Sequence, residues 1–256
     1  MNLLELQSCN QKTEADVMND ISGNLSADIC NCGKCKNKGV IYFMNGDELL
    51  CKPCECMSYR DSAIRLKKSG LSESIQRYTF RNFEITQEFQ KLMREKAVNF
   101  IKNKGRCFFI GGQIGCGKTH ICTAAAGYFL NHGKQVQYLQ WRDDIPRIKV
   151  GVSDGTSQKQ IDDLKKVEVL YVDDLFKNKE GTEPTGADIN LAFDIFNYRY
   201  INSDLITIIS SEKTLAELLL IDEAIGSRIA EMVGQYNISI KKDIKKNYRL
   251  KEVINI

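Results

Sequence analysis

Two kinds of apolar pattern alternate along the chain from about residue 76 onward. Short uninterrupted runs, among them "CFFIGG", "VEVLYV" and "LITII", predict buried strands, and the partly alternating run "KQVQYLQW" predicts another. Longer segments with helical spacing predict helices over residues 118–133, 157–166, 187–202 and 215–233, the last with a break near 221–226. This alternation predicts an α/β fold with a parallel sheet and helices on both of its faces.

A further helix is expected ahead of the first strand, over residues 86–105. Thr86 can cap its start and Gly105 follows its end, as is common at helix termini. Its apolar side chains recur at helical spacing and predict one buried stripe. They are Phe89, Leu92, Met93, Phe100 and Ile101.

The first quarter of the chain has a different pattern. Residues 1–27 are polar with weak helical periodicity, and residues 28–57 contain two groups of three cysteines. The segment "SYRDSAIRLKKSGL" then predicts a short basic helix that ends before Gly70. We therefore expect a small cysteine-bearing domain over residues 1–75 and a larger α/β domain over residues 76–256.

Composition and charge narrow the class of protein. The 256 residues are 43% hydrophobic and 27% charged, and the net charge of +3 is too small to indicate nucleic-acid binding by itself. Basic residues do concentrate in the segment 240–256. No signal-peptide pattern and no membrane-length apolar segment is present, so we expect a cytoplasmic protein without disulfides. Clustered cysteines then favour a metal site.

The strongest chemical motif is "GGQIGCGKTH", which fits G-x-x-x-x-G-K-[ST], the Walker A pattern, between a predicted strand and a predicted helix. In such a loop the backbone amides and the helix N-terminus bind phosphate groups. Lys118 would reach the β and γ phosphates of a nucleotide, and Thr119 would bind Mg²⁺. The expected nucleotide-binding residues are Gly112, Gln113, Ile114, Gly115, Cys116, Gly117, Lys118, Thr119 and His120.

Two aspartates end the predicted strand "VEVLYVDD" and give it the Walker B pattern. In nucleoside triphosphatases with a phosphate loop, the first acid holds the magnesium ion and the second can polarise the attacking water. Asp173 is therefore the expected magnesium acid together with Thr119. Asp174 is the expected water-polarising acid, so the catalytic residues expected from these two motifs are Lys118, Asp173 and Asp174.

Two further features concern the same site. Ser210, Ser211 and Glu212 end the predicted strand "LITIISS" and either lie near the γ-phosphate or form only the turn into the next helix. Arg228 follows the helix break among apolar neighbours. It is either a surface charge or a catalytic finger that completes the nucleotide site of a neighbouring subunit.

The six clustered cysteines exceed the four ligands that zinc takes. Cys32 and Cys35 fit one half-site, and the other half-site is either Cys51 with Cys54 or Cys54 with Cys56. The spacing alone favours the first pair. An iron–sulfur cluster and a metal-free set of buried thiols are the alternatives. A closed four-thiolate site is structural, so the segment is expected to fold on zinc and to serve in docking.

Together these motifs resemble an AAA+ ATPase, and more narrowly the DnaC/DnaI-type replicative-helicase loaders in their phage-encoded branch. The resemblance is carried by the cysteine module and by "FRNFE", "GQIGCGKTH", "VLYVDDLFK", "IISSEKTLAEL", "IDEAIGSRIAEM" and "NYRL". It implies an AAA+ P-loop NTPase with a parallel sheet flanked by helices, preceded by a small zinc-binding domain. The zinc ligands it implies are Cys32, Cys35, Cys54 and Cys56, with Cys51 in reserve.

The resemblance also assigns roles to three arginines. It makes Arg228 the arginine finger, Arg199 in "FNYRY" a second candidate for an intersubunit contact, and Arg249 in "NYRL" a candidate nucleotide sensor. Many AAA+ proteins carry asparagine where this chain offers Ser211 and Glu212. That departure implies hydrolysis that is slow or stimulated by assembly and partners.

The function implied by the resemblance is ATP-dependent delivery of a replicative helicase onto single-stranded DNA during DNA replication. ATP, Mg²⁺ and Zn²⁺ are the implied cofactors. The implied partners are the helicase, single-stranded DNA and further copies of the chain in the ATP-bound state, with no membrane. A transposition-helper ATPase of the IstB type and a nucleotide-regulated zinc adaptor with little turnover are the alternatives.

Overall fold

The computed structural model describes residues 12–68, 72–152, 155–178 and 182–250. The chain divides into two compact units, the first ending at Ile64 and the second beginning at Arg65. The domain boundary near residue 75 stays a prediction, and Gly70 lies outside the described residues. In the described part, every helix is too short or too polar to cross a membrane.

The first unit is built on short elements around the cysteines. They are helix α1 (Glu14–Asp20), strands β1 (Val40–Asn45) and β2 (Glu48–Pro53), and the start of helix α2 (Cys56–Lys68). Thr13 caps α1, where its side chain accepts from the amide of Asp16 and the Asp16 carboxylate accepts in return. The two strands pair antiparallel around a tight turn at Gly46, which has φ +65°.

The second unit alternates helices and strands as the sequence predicts. Its helices are α3 (Ser72–Arg77), α4 (Glu88–Lys102), α5 (Lys118–Asn131), α6 (Trp141–Val152), α7 (Gln158–Lys166), α8 (Gly186–Ile201), α9 (Leu215–Ile221) and α10 (Glu223–Val233). Its strands are β3 (Cys107–Gly112), β4 (Val136–Gln140), β5 (Val169–Asp173), β6 (Ile206–Ser211) and β7 (Asn237–Ile240).

The five strands in the described part of the second unit form one parallel sheet in the order β4-β5-β6-β3-β7. This confirms the predicted α/β class. Strand β7 was not expected from the sequence, since four residues carry too little pattern to predict a strand. The carboxyl ends of β3, β5 and β6 meet at one edge of the sheet, where ligands of such folds bind.

Side chains alternate between the two faces of the sheet, and both faces are covered. On one face Phe108 lies 5.5 Å from the ring of Phe100 in α4. On the other face Phe109 joins the buried cluster that includes residues of α6 to α10. Both phenylalanines are fully buried, which fixes the strand that leads into the phosphate loop.

The helix predicted over residues 86–105 begins later than expected. Gln87 is its N-cap and Glu88 its first residue, while Thr86 donates its amide and hydroxyl to the Gln90 side chain instead. The expected apolar stripe is wrong at Leu92, which is 47% exposed. The helix buries Gln90, Met93, Ala97 and Phe100.

Candidate nucleotide site and metal centre

The loop between β3 and α5 has a backbone that only glycine tolerates at several positions. Gly112, Gly115 and Gly117 have φ values of +103°, +73° and +99°. A Cβ atom at Gly112 would lie 2.0 Å from the carbonyl oxygen of Ile240, and one at Gly115 would lie 1.9 Å from Oδ1 of Asn247. Helix α5 begins directly after the loop, so its free amides face a ligand bound there.

Lys118 is held against this loop. The side chain is 7% exposed, and its Nζ donates to the carbonyl oxygens of Gly112 at 2.8 Å and Gln113 at 2.6 Å. The ammonium group and the helix N-terminus therefore concentrate positive charge at one end of the loop, which is the arrangement that binds phosphate.

Asp173 lies beside the loop although it comes from another strand. Its carboxylate accepts hydrogen bonds from the hydroxyls of Thr119 at 3.2 Å, Tyr138 at 3.1 Å and Tyr171 at 2.9 Å, and also from Ser210. Burial raises the pKa of Asp173, and the donors oppose that shift. The hydroxyl of Thr119 and the carboxylate of Asp173 are hard oxygen ligands side by side, so this pair fits Mg²⁺.

Asp174 has a left-handed backbone, with φ +57°. Its amide donates to the Ser210 hydroxyl at 3.0 Å, and its carboxylate lies 3.0 Å from Nζ of Lys177. Nζ of Lys177 also lies 2.6 Å from a carboxylate oxygen of Glu212. Burial alone would lower the pKa of Lys177, but the two carboxylates raise it.

Most of these groups line one open cavity of about 710 Å³; Gly112, Gln113 and Asp173 lie behind its lining, and Asp173 is joined to it through Thr119. The phosphate loop contributes Ile114 to Gly117, and α5 contributes Lys118, Thr119 and His120. The acidic side is lined by Asp174 and Glu212 together with Lys177. The structure thus brings the predicted nucleotide-binding residues and the predicted acids to a single site. Ser210 contacts Asp173 and Asp174, whereas Ser211 donates to the Leu175 carbonyl oxygen.

The segment before α4 forms a wall of this cavity that the sequence motifs did not indicate. The ring of His120 lies 4.8 Å from that of Tyr78 and 5.1 Å from that of Phe83, and its Nε2 contacts the Thr79 carbonyl oxygen at 3.0 Å. Burial lowers the pKa of His120. The aromatic residues of "RYTFRNF" were the available signal, because aromatic side chains outside predicted elements often line ligand sites.

A second unexpected wall comes from the basic segment after β7. The amide of Tyr248 donates to the Gly115 carbonyl oxygen at 2.9 Å, and its hydroxyl donates to Glu84 at 2.7 Å. Upstream, the amide of Asp243 donates to the Gln113 side chain at 2.7 Å. Arg249 lines the cavity, and its role as a nucleotide sensor stays a prediction.

Arg228 is half-buried on α10 and is not among the residues that line the described cavity. Its guanidinium donates to the Asn197 side chain at 3.0 Å and to the Ala224 carbonyl oxygen at 2.7 Å. It also lies 5.0 Å from the ring centre of Phe193 and 5.7 Å from that of Tyr200. These contacts hold it at the surface of its own unit.

Arg199 does not lie where the intersubunit hypothesis needs it. Its side chain is 0% exposed and donates to the Thr207 hydroxyl at 2.8 Å. Further bonds reach the carbonyl oxygens of Leu164, Lys165, Val167 and Ile206. The guanidinium therefore ties α8 to the end of α7 and to β6. The expectation of a contact to a neighbour is wrong because every polar atom is satisfied inside the core.

In the first unit, four cysteine sulfurs converge. The Sγ atoms of Cys32, Cys35, Cys54 and Cys56 all lie within 4.8 Å of one another, with 3.8 Å between Cys32 and Cys54 and 3.6 Å between Cys35 and Cys56. Sulfurs around a tetrahedral zinc at about 2.3 Å stand about 3.8 Å apart. The set fits zinc, and these are the four that the family resemblance favoured. Cys51 is exposed on β2 and is not part of the group.

Local turns hold the first pair of these cysteines. Lys36, Asn37 and Gly39 have φ values of +46°, +63° and +83°, which curl the chain back on itself. The amide of Gly39 then donates to Sγ of Cys35 at 3.4 Å. Such N–H···S bonds and a bound cation both favour thiolates, against the burial that raises the pKa of Cys56 to about 12.

Arg60 braces the same centre from α2. It is 3% exposed and donates to the carbonyl oxygens of Ser26 at 2.6 Å and Cys30 at 2.5 Å, and to the Asn37 side chain at 2.8 Å. The thiol of Cys30 remains outside the four-sulfur group. The sequence did not single out Arg60, although it lies one helical turn after Cys56.

Comparison with known sequences gives the chain relatives. It is 32% identical over 212 residues to the uncharacterised protein YqaM of Bacillus subtilis, covering 78% of this chain and 66% of that protein. It is 30% identical over 237 residues to the phage-like element PBSX protein XkdC of Bacillus subtilis, covering 87% of each. The replicative helicase loader DnaC of Buchnera aphidicola subsp. Baizongia pistaciae is 27% identical over 52% of this chain and 61% of its own length.

Comparison with solved structures gives the same fold. The crystal structure of the DnaC helicase loader superposes with a TM-score of 0.55 at 19% identity, over 66% of this chain and 98% of that one. The second unit is thus an AAA+ P-loop fold, as predicted. The model of the IstB-like ATP binding proteins matches residues 55–252, most of the chain. The chain therefore belongs to the family of IstB-like ATP binding proteins.

Proposed function

We propose that the protein is an ATP-dependent helicase loader that delivers a replicative DNA helicase onto single-stranded DNA during DNA replication. The observation that carries the proposal is the combination in one chain of a phosphate loop facing two strand-end aspartates and a four-cysteine module. The relative named as a replicative helicase loader supports this choice of client. Its place of action is the bacterial cytoplasm, that of the host if the chain is phage-encoded.

In the proposed ATPase site the loop residues 112–120 bind the phosphates, and Lys118 contacts the β and γ phosphates. Thr119 and Asp173 hold Mg²⁺, which neutralises charge on the phosphate oxygens when it is bound. Asp174 polarises the attacking water. Because an aspartate side chain reaches less far than a glutamate, and because the Asp174 carboxylate is paired with the Lys177 ammonium group, we expect slow hydrolysis that partners stimulate.

Arg228 is proposed to act on the site of a neighbouring copy. Its contacts to Asn197 and to the Phe193 ring hold it on the surface of its own unit, outside the cavity that Lys118 lines. An arginine supplied in trans stabilises the charge of the transferring phosphoryl group. Hydrolysis would then require a homo-oligomer, which we expect to form when ATP is bound.

The cysteine module is proposed to bind zinc and to dock the helicase. Four thiolates without an open coordination position make a structural site, so the module contributes a surface and no chemistry. Single-stranded DNA is proposed to bind near the basic segment that follows β7. Lys241, Lys242, Lys245 and Lys246 repeat in every copy of an oligomer, which multiplies their attraction for the DNA backbone.

A second candidate function is a transposition-helper ATPase of the IstB type. It is favoured by the family match, which begins only at residue 55 and so draws on the ATPase rather than on most of the cysteine module. The two functions share ATP binding and differ in client. The nucleotide site alone cannot separate them, whereas the partner of the cysteine module can.

The test is capture of the client by the full-length chain. Purified tagged protein is incubated with the replicative helicase of its host, with and without ATP, and the bound helicase is quantified. We expect Cys35→Ser to abolish capture and Cys51→Ser to retain it, because only Cys35 belongs to the four-sulfur group. Lys118→Ala should keep the module intact and lose only the effect of ATP.

Three results would contradict the proposal. The wild-type chain could fail to capture the helicase under any nucleotide condition while it captures a transposase, which would select the IstB-type function. Capture of the helicase by a Cys35→Ser variant that has lost its zinc would exclude the docking role of the cysteine module. Unchanged ATP affinity in Lys118→Ala would remove the ATP site.

A further inference from the structure

Lys177 lies between two acids at the nucleotide cavity. Its Nζ is 3.0 Å from the Asp174 carboxylate and 2.6 Å from that of Glu212, and all three residues line the cavity with Lys118 and Thr119. Each of the three side chains is between 28% and 30% exposed, so the group is shielded from bulk water without being sealed. None of the sequence motifs assigns a role to Lys177.

The turn that carries Lys177 is rigidly built. Asp174 and Phe176 both have left-handed backbones, with φ of +57° and +61°, and the Lys177 amide donates to the Asp174 carbonyl oxygen at 2.9 Å. The Leu175 amide donates to the Ser210 carbonyl oxygen at 2.9 Å, which anchors the turn to β6. Phe176 is buried against the Trp141 ring. Two non-glycine residues in this region are costly, which indicates that the position of the following side chain matters.

The charges of the group explain why a cation is needed there. Asp174 and Glu212 place two negative charges beside a cavity whose proposed ligand is a polyanion. Without Lys177 both carboxylates would repel each other and the terminal phosphate. With it, the group carries a net charge of about −1, and the ammonium group fixes the orientation of the Asp174 carboxylate.

We infer that Lys177 is a positioning residue of the ATPase site, which holds Asp174 in place and neutralises Glu212 so that the site accepts a γ-phosphate. The inference rests on the proposed ATPase function. Lys177 acts through the two carboxylates, and Glu212 is its charge partner. Discrimination between a nucleoside triphosphate and a diphosphate therefore depends on this pair.

The experiment measures equilibrium binding of AMPPCP, a non-hydrolysable ATP analogue, and of ADP to the full-length chain with Mg²⁺. We expect Lys177→Met to weaken AMPPCP binding about tenfold and ADP binding less than about twofold, because ADP lacks the phosphate that the two acids repel. Lys177→Arg should keep both affinities. Lys213→Met is the matched control, since the neighbouring Lys213 pairs with Glu183 and lines a different pocket.

Removal of the Glu212 charge provides a second, independent test. Glu212→Gln alone should tighten AMPPCP relative to ADP, and Lys177→Met combined with Glu212→Gln should restore most of the AMPPCP affinity. Turnover of ATP should stay low in the double variant, because Asp174 has lost the ammonium group that positions it. A purely structural ion pair would not separate affinity from turnover in this way.

Equal weakening of AMPPCP and ADP in Lys177→Met would overturn the inference, and so would unchanged affinities in both Lys177→Met and Glu212→Gln. Failure of the double variant to recover AMPPCP binding would overturn it as well. A wild-type chain that binds neither nucleotide, or a Lys118→Ala variant that binds both normally, would instead refute the proposed ATP site, and the inference with it.

Discussion

The two units of this chain hold their functional atoms in place by different means. In the described part of the first unit the buried residues are Ala15, Cys35, Gly39, Cys54, Arg60 and Ser62, so apart from cysteine only one apolar side chain is fully covered. In the second unit a continuous cluster of large apolar side chains lies against the sheet. One unit is organised around four sulfurs, the other around a hydrophobic core.

The two units therefore gain their stability from different sources. A unit with almost no apolar core cannot offset its loss of conformational entropy by burial, and metal binding of about 10–16 kcal/mol can supply the difference. The second unit needs no such ion. Its phosphate loop is fixed by the buried strand before it and by the neighbouring segments that contact Gly112 and Gly115.

Loss of the metal should therefore have the largest effect, and this effect should be confined to the first unit. We expect Cys35→Ser, or removal of zinc by a chelator, to unfold the first unit, because the remaining core cannot replace about 10 kcal/mol of binding. Nucleotide binding by the second unit should persist. Zinc per chain and hydrogen exchange along the sequence measure both effects, with Cys51→Ser as the control that keeps its zinc. Full protection of residues 30–60 in the zinc-free protein would contradict this account.

The next largest effect concerns the core of the second unit. Arg199→Met should lower the free energy of unfolding by about 3 kcal/mol, because the lost guanidinium leaves several buried carbonyl oxygens without donors. Arg228→Met should change it by less than about 1 kcal/mol but reduce ATP hydrolysis at high protein concentration. Chemical denaturation and concentration-dependent turnover distinguish the two arginines. Equal stability of both variants would refute the assigned burial of Arg199.

A smaller effect should show how the segment after β7 braces the phosphate loop. Gly115→Ala should cost more stability than Gly155→Ala, although both positions have positive φ, at +73° and +77°. The added Cβ at Gly115 would meet Asn247 at 1.9 Å, whereas that at Gly155 has no neighbour within 4 Å. We expect about 1 kcal/mol for Gly155→Ala from backbone strain alone, and faster hydrogen exchange at residues 241–250 only in Gly115→Ala. Identical exchange in both would contradict the brace.

The smallest expected effect concerns the hydroxyls around Asp173. Tyr171→Phe should raise the Mg²⁺ concentration needed for half-maximal ATP binding about threefold, because one hydrogen bond that orients the carboxylate is lost. Tyr128→Phe is the control, since that residue stacks on His132 away from the site. A Mg²⁺ requirement that is the same in both variants would show that the Tyr171 hydroxyl only satisfies a buried group.

The sequence predicted the features that depend on neighbours along the chain. The glycine pattern before Lys118 and the apolar run before Asp173 require particular backbones at adjacent positions, so their spacing identified them. Arg199 and Arg228 could not be told apart, because each lies in a predicted helix among apolar neighbours and only tertiary packing decides which is enclosed. The hairpin around Gly46, strand β7 and helix α6, which contains Pro146, also escaped prediction, since pairing and context outweigh local propensity there.

The spacing of the cysteines also did not decide the choice of zinc ligands. Cys51 and Cys54 have the more usual spacing, yet Cys51 lies on β2, opposite Tyr42 of the partner strand. Cys56 begins α2, and this helix start is what turns its sulfur toward Cys35. Which thiol faces the centre thus depends on where a helix begins, and element boundaries are the least predictable feature of a sequence.

The central claim is that this chain uses ATP to place a helicase on DNA, and loading onto closed circular single-stranded DNA tests it most directly. A ring-shaped helicase cannot thread onto a circle without an opening step. We predict that helicase retained on the circles after gel filtration requires the wild-type chain and ATP, and that Lys118→Ala or Cys35→Ser reduces it to the level without loader. Retention that is the same with and without this chain would contradict the account.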